Sequence, residues 1–499
     1  MNRYALGIDI GTTSVKAILI SDRQEIVYET SAAHDLISEH IGWAEERTED
    51  WWNNTITVIR RIVEEVPDAA SRIDVIGVSG MVPAIVLLDK NGRPVRNSIQ
   101  QNDARSVKEI EWLKQRIDQQ QLFQATGGYT NQQHVLPRLL WLKANEPETW
   151  NKSVTIMGSY DYITYKLTDT PSIEVNWAVE SGLYDIYSQA WLTEQMKSYG
   201  INPSMFPKVR LSGDIVGTLT KEAATLTGLA KDIPIVAGSA DHVASTLAAG
   251  IVDEGDLLIK FGGAGDILYC TNEVRTTPEL FYDRHVVPDK HLMNGCMSSS
   301  GSLVKWYIKD ILNEQSDDIF KELDAAAEKT RPGSDGLIIL PYFLGEKTPL
   351  FDPEARGVLF GLTLSHGRGH IFRAILEAVI YGFRHHVEVL AQQGYHPKRI
   401  FATNGGAKSK FWCQIAADVL KSEIRSFPSH PGSALGVAFL AGISTGLFSD
   451  WSQIHGFLNQ YRDFKPIPSH MDVYDKTYQI YRDLYRQLLP SFHDVNQIY

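Results

Sequence analysis

A chain of 499 residues with 43% hydrophobic and 22% charged side chains is too long for one ordinary core and carries apolar material for two. Its formal net charge of -12 excludes general binding to nucleic acid or to an anionic membrane, which both need a basic surface, and leaves room for a local basic pocket for phosphates. Cys270, Cys296 and Cys413 are odd in number, far apart and without CxxC spacing, so they read as reduced core thiols.

The first ten residues carry Asp9 inside an apolar run, unlike a secretory signal. Val75–Leu88 and Ala434–Phe448 are too short for a membrane span and are broken by Gly or Pro. The expected location is the cytoplasm.

Tyr4–Ile10, Val15–Ser21 and Ile26–Ala32 read as three strands joined by turns at Gly11–Ser14 and Asp22-Arg23. A helix follows, with Thr48 as its cap and Trp52, Ile56, Ile59 and Val63 as its apolar face. Val75–Val78 and Val86–Asp89 are strands, as is Ile233–Ala237, with a helix over His242–Ala249. The polar turn Asp253–Asp256 leads to strands Leu257–Phe261 and Asp266–Cys270 around Gly262–Gly265. Alternating strands and helices predict mixed α/β layers. A glycine hairpin opens each half, which suggests a duplicated architecture, and the domain boundary is expected near residues 245–256.

Five segments could carry chemistry. At Asp9-Ile10-Gly11-Thr12-Thr13-Ser14, backbone N–H groups and hydroxyls could cradle a phosphate and Asp9 could hold Mg²⁺ through water; an ordinary polar hairpin reads equally well. Gly262–Gly265 and Asn404-Gly405-Gly406-Ala407 permit close approach of a ligand, but taken alone they read as tight turns. Asp241 stands between a strand and a helix, either as a helix cap or as an exposed base at the sheet's C-terminal edge. Gln100–Arg105 offers the convergent polar groups that a sugar needs, or a solvated loop. His385-His386 lacks a matching ligand set and reads as structural.

Together these pieces resemble the FGGY carbohydrate kinases in order and spacing. DIGTTSVKA at Asp9–Ala17 is similar to the family's first phosphate motif, and AGSADHVASTLAAG at Ala237–Gly250 to the segment with its catalytic aspartate. Leu340–Leu362, running on to His370 and Ala374–Glu377, resembles its second signature, and Asn404–Leu420 its adenosine motif. The resemblance implies an α/β fold of two actin-like (ribonuclease H-like) domains flanking a catalytic cleft, at 1–248 and 249–499. It implies ATP and Mg²⁺ as cofactors and Asp241 as catalytic base. By the same resemblance Asp9 matches the metal-associated residue. It implies that Thr12, Thr13, Ser14, Lys16, Gly262, Gly263, Gly301, Gly405, Gly406, Ala407 and Lys410 surround the nucleotide. It implies that Met81, Val82, Pro83, Asn102, Asp103 and Asp241 surround the substrate.

Three departures stand out. Gly263-Ala264 replaces a usual Thr-Ser, Arg138 replaces a usual lysine, and Gly80–Ala84 carries neither the xylulose-kinase nor the glycerol-kinase polar signature. Gln101–Arg105 is nearer the xylulose kinases. The expected activity is phosphorylation of a small sugar or polyol, a pentulose such as xylulose first. Gluconate, erythritol or another polyhydroxylated metabolite is the alternative, and a nucleotide-binding regulator without turnover is the rival from another class. The expected partner is the small molecule alone, with no nucleic acid and no membrane. The oligomeric state stays open, a homodimer among its options.

Overall fold

Tyr4–Ile10 is buried at all seven positions, because it has strand neighbours on both sides. The computed structural model describes residues 3–316 and 318–498. Tyr4–Ile10 pairs antiparallel with Ser14–Ser21 and parallel with Ile73–Gly80. Ile26–Ala33 closes one edge, and Pro234–Val236 and Ile215–Thr218 extend the other. Ser239–Ala240 pairs with the end of Ile73–Gly80, placing Ser239 beside Ser79.

The helix Thr48–Glu65 buries Trp51, Thr55, Val58, Ile59 and Ile62 rather than the stripe expected through Trp52, Ile56 and Val63. The Trp51 indole donates to Glu46 at 2.6 Å, and that bond turns Trp51 inward. Thr48 lies inside the helix and caps nothing.

The chain clusters into two units that are not its two halves. One comprises Met1–Val252, Tyr282–His291 and Pro431–Phe457; the other comprises Asp253–Phe281, Leu292–His430 and Leu458–Tyr499. The cut expected between 248 and 249 lies close to the first crossing, from Val252 to Asp253, and two later segments return to the first unit. The reason lies in the helix Ser433–Ser444, apolar on nearly every face, which packs on strands Tyr4–Ile10 and Ile73–Gly80. Side chains at Gly7 or Gly77 would strike its backbone, and one at Gly436 would strike the Ala244 carbonyl.

The second unit repeats the strand plan of the first. Asp256–Phe261 pairs antiparallel with Gly265–Thr271 and parallel with Arg399–Thr403, which pairs parallel with Ile424–Ser426. The helices Arg368–Gln392 and Lys410–Leu420 pack against each other in this unit. No helix among the described residues is long and apolar enough to cross a membrane, and no cysteine is in a disulfide.

Candidate active site

In the first unit, the carboxyl ends of three strands bring together Asp9, Ser79 and Ser239, which are neighbours in register. Asp9 is buried and accepts from the Ser79 hydroxyl at 2.9 Å. Burial, and then the charge of Asp241, push its carboxyl up from the usual range. Lys16 lies opposite Asp9 on the hairpin and pulls the other way. Thr12, Thr13 and Ser14 form the turn, with Thr13 exposed. The Thr12 hydroxyl lies 2.9 Å from Met81 Sδ.

Met81, Val82 and Pro83 follow the strand Ile73–Gly80 as a buried apolar wall. Arg138 fixes this wall. Its fully buried guanidinium donates to the carbonyls of Pro83 at 3.0 Å and Gln100 at 2.9 Å, and to those of Gln133 and His134. Burial among neutral acceptors lowers its pKa to about 10.

Of the expected sugar loop, Asn102 is exposed and Asp103 is fully buried. The Asp103 carboxylate has both oxygens engaged: one accepts from the Arg105 backbone and Nε, the other from Ala44 N–H and a further Arg105 nitrogen. Arg105 in turn lies 3.9 Å over the Trp43 ring. The Gln100–Arg105 run is thus a clamped loop that presents Asn102, rather than a set of side chains all facing outward.

Asp241 opens the helix Asp241–Ala248, one residue inside its cap, so the reading of Asp241 as the cap itself does not hold. Its side chain is 40% exposed, and one oxygen accepts from the His242 backbone at 2.6 Å. The His242 ring turns its Nδ1 to Asp241 at 3.6 Å and its Nε2 to Asp283 at 2.8 Å and Glu180 at 3.8 Å. Burial works against charge on this ring, but Asp283, Asp241 and Glu180 outweigh it and hold the pKa well above the usual value. Burial and then Asp283 push the Glu180 carboxyl up.

The second unit has its own cluster. The turn Gly262–Ala264 receives the start of the helix Gly301–Trp306: Ser300 N–H donates to Gly263 O at 2.9 Å, Gly301 N–H to Gly262 O at 2.8 Å, and Ser302 N–H to Gly263 O at 3.1 Å. A Cβ on Gly301 would lie 2.6 Å from Gly262 O, whereas one on Gly263 meets nothing within 4 Å. These N–H groups are spent on the hairpin, so Gly301 shapes the site by close packing. Asn404 and Gly405 line a cavity of about 580 Å³ with Lys408, Pro428, Ser429, His430 and Arg462. Beside them Gly406 packs under Trp412 and Phe261, Ala407 accepts from the Ser426 hydroxyl at 2.6 Å, and Lys410 is exposed at the start of its helix.

Sequence reasoning singled out neither Glu180, His242 and Asp283, which cluster beside Asp241, nor Pro428–His430 and Arg462, which line the cavity with Lys408. His242 and Lys408 stood inside motifs already singled out; the others had no local signal. His386 bonds Gly382 O and Thr348 Oγ1, each at 2.8 Å, and burial lowers its pKa to about 4.

Residues 4–248 match the N-terminal domain of the FGGY family of carbohydrate kinases, and residues 272–445 match its C-terminal domain. The chain is 29% identical over 486 residues to the xylulose kinase of Bacillus subtilis (strain 168), covering 97% of each. It is 28% identical over 508 residues to the gluconokinase of the same organism, covering 100% of this chain and 96% of that one. The crystal structure of xylulose kinase from Rhodospirillum rubrum superposes with a TM-score of 0.95 at 40% identity, covering 98% of this chain and 100% of that one. With both of its domain models matched and a two-domain α/β structure like those of its members, the chain belongs to the FGGY family of carbohydrate kinases, enzymes that transfer a phosphoryl group from ATP to a sugar.

Proposed function

We propose that the chain phosphorylates a primary hydroxyl of a pentulose such as xylulose. The observation that carries this reading is the approach of Asp9 and Asp241 at the ends of two strands that flank Ile73–Gly80, the strand that runs on into the Met81–Pro83 wall. Asp241 accepts the proton of the attacking hydroxyl. The hydroxyl oxygen bonds to the γ-phosphorus of ATP as the bond from that phosphorus to the β,γ-bridging oxygen breaks, and ADP leaves with the bridging oxygen. Such transfer is mostly positioning and electrostatics.

A divalent cation fits the donor chemistry at Asp9. The carboxyl is buried and crowded by Asp241, so a nearby positive charge relieves it. Mg²⁺ bound there would neutralise phosphate charge. Thr12–Ser14 and Lys16 supply donors to the phosphates from the first unit. Within the second unit, the Gly262–Gly263 turn, Gly405–Ala407, Lys410 and the cavity lined by Asn404 and Gly405 offer a surface for the nucleotide.

A second reading, gluconate phosphorylation, is favoured by the match to a gluconokinase. ADP production from ATP and Mg²⁺ with xylulose, ribulose, gluconate, erythritol or glycerol tests both. Xylulose is expected to stimulate most. Gluconate in its place would move the assignment to the second reading, and no stimulation by any of them would leave a nucleotide-binding regulator.

A further inference from the structure

We propose that Lys260 is the phosphate-binding cation of the second unit and takes the place of the hydroxyls that the Gly262–Ala264 turn lacks. The inference rests on the nucleotide reading above and names the residue that grips the outer phosphates.

The two hairpins match in register. In the first, Ile10 stands opposite Val15 next to the turn, and Asp9 stands opposite Lys16 behind that pair. In the second, Phe261 stands opposite Gly265 next to the turn, and Lys260 stands opposite Asp266 behind it. The same rung carries one carboxylate and one ammonium in each hairpin, with the charges exchanged between the strands. The incoming strand ends on a carboxylate in the first unit and on an ammonium in the second. A carboxylate suits a divalent cation, whereas an ammonium suits phosphate oxygens directly.

The turns differ in the same sense. Thr12, Thr13 and Ser14 bring three hydroxyls to the first, and Gly262, Gly263 and Ala264 bring no side-chain donor to the second. Ser300 and Ser302, whose N–H groups donate to Gly263 O, keep their hydroxyl oxygens out of solvent contact. The hairpin's own side-chain charge for an anion is Lys260. It lies opposite Thr403 on the neighbouring parallel strand, and the next residues along that strand, Asn404 and Gly405, line the cavity. Asn404 also reaches the turn: its amide nitrogen is 3.3 Å from where a Cβ on Gly262 would stand. The Lys260 ammonium is 3.4 Å from an oxygen of Asp266, a side chain that is 31% exposed. That spacing exceeds the ~2.7–2.9 Å of a charge-assisted hydrogen bond, so the contact with Asp266 is loose enough for phosphate oxygens to displace.

Calorimetric titration of the whole chain with ATP, ADP and AMP in the presence of Mg²⁺ tests this and needs no sugar. Lys260→Met should weaken ATP and ADP about tenfold, the usual loss of a hydrogen bond to a charged group, and leave AMP unchanged. Asp266→Asn removes the pair but keeps the ammonium, so its ATP affinity should equal or exceed that of the wild type. Equal weakening of ATP in the two variants would mean that Lys260 serves only the fold of the hairpin, and overturns the proposal. So does an unaltered ATP affinity in folded Lys260→Met, or a loss for AMP as large as that for ATP. Should Lys260→Met not fold, weakened ATP binding in Asp266→Asn alone decides against it. A wild type that binds no ATP removes the nucleotide reading and this proposal with it, whereas failure at Lys260 alone leaves that reading standing.

Discussion

Arg138 donates to the carbonyl of Pro83 across 55 positions of sequence, at 3.0 Å, and to that of Gln100 with the same nitrogen. One side chain therefore sets both the apolar wall and the loop carrying Asn102. Lysine cannot reproduce the fork that reaches four carbonyls. Arg138→Lys should cost about 1–3 kcal/mol in thermal or urea unfolding and raise the KM for the sugar more than that for ATP. Unchanged stability and an unchanged sugar KM would show that the clamp holds nothing the enzyme uses.

Asp241→Asn should keep the fold and ATP binding while turnover falls by ~10²–10⁴-fold, the usual loss on removing a positioned base. Steady-state rates together with ATP titration check this. Retention of more than half the wild-type rate would remove Asp241 from the catalytic role.

Gly301 and Gly263 should separate. Gly301→Ala puts a methyl against Gly262 O and should lower the melting temperature, whereas Gly263→Ala meets no neighbour within 4 Å. If the turn faces phosphate, Gly263→Ala should raise the KM for ATP with no change in melting. Equal melting losses in both variants would contradict this packing.

Asn102→Ala should raise the sugar KM far more than Val82→Ala. Asp103→Ala should act first on stability, because its carboxylate holds Ala44 and Arg105. Glycerol is expected to be a poor substrate at an apolar wall, since a buried unpaired hydroxyl costs ~1–3 kcal/mol. Kinetics on the three variants and on glycerol decide the matter; efficient glycerol turnover would place the sugar elsewhere.

Burial raises the pKa of Glu346 to about 7, against an ordinary value of 4.5. The folded chain holds this proton more tightly than the unfolded chain does. Its contribution to stability is therefore full below pH 4.5 and is lost as pH rises through about 7. Relative to wild type, Glu346→Gln should gain roughly 2–3 kcal/mol as pH rises across that window. Urea unfolding at several pH values reads the difference; a flat difference would refute the burial argument.

The opening strand Tyr4–Ile10 was legible residue for residue, because an apolar run bounded by a Gly turn is a local signal. Asp9 and Asp241 were legible as junction residues for the same reason. The buried face of Thr48–Glu65 was not, because Trp51 turns inward to meet Glu46 and spacing alone could not show that. Nor was the role of Asp103, which spends its charge on Arg105 within its own loop and on Ala44, 59 positions away. His242 and Asp283 lie 41 positions apart, and Glu180 on another helix; no pattern of adjacent residues reports such a meeting.

The helix Ser433–Ser444 gives the chain an order of assembly. Strands from the opening residues leave the ribosome early, yet the helix that covers Gly7 and Gly77 is made after most of the second unit. Until it arrives, the face under Asp9 lies bare, and Ser433, which bonds the Asp9 carboxyl, is missing. The nascent first unit must wait with an apolar sheet exposed, a client for chaperones. A fragment ending at residue 248 would inherit that exposed face permanently.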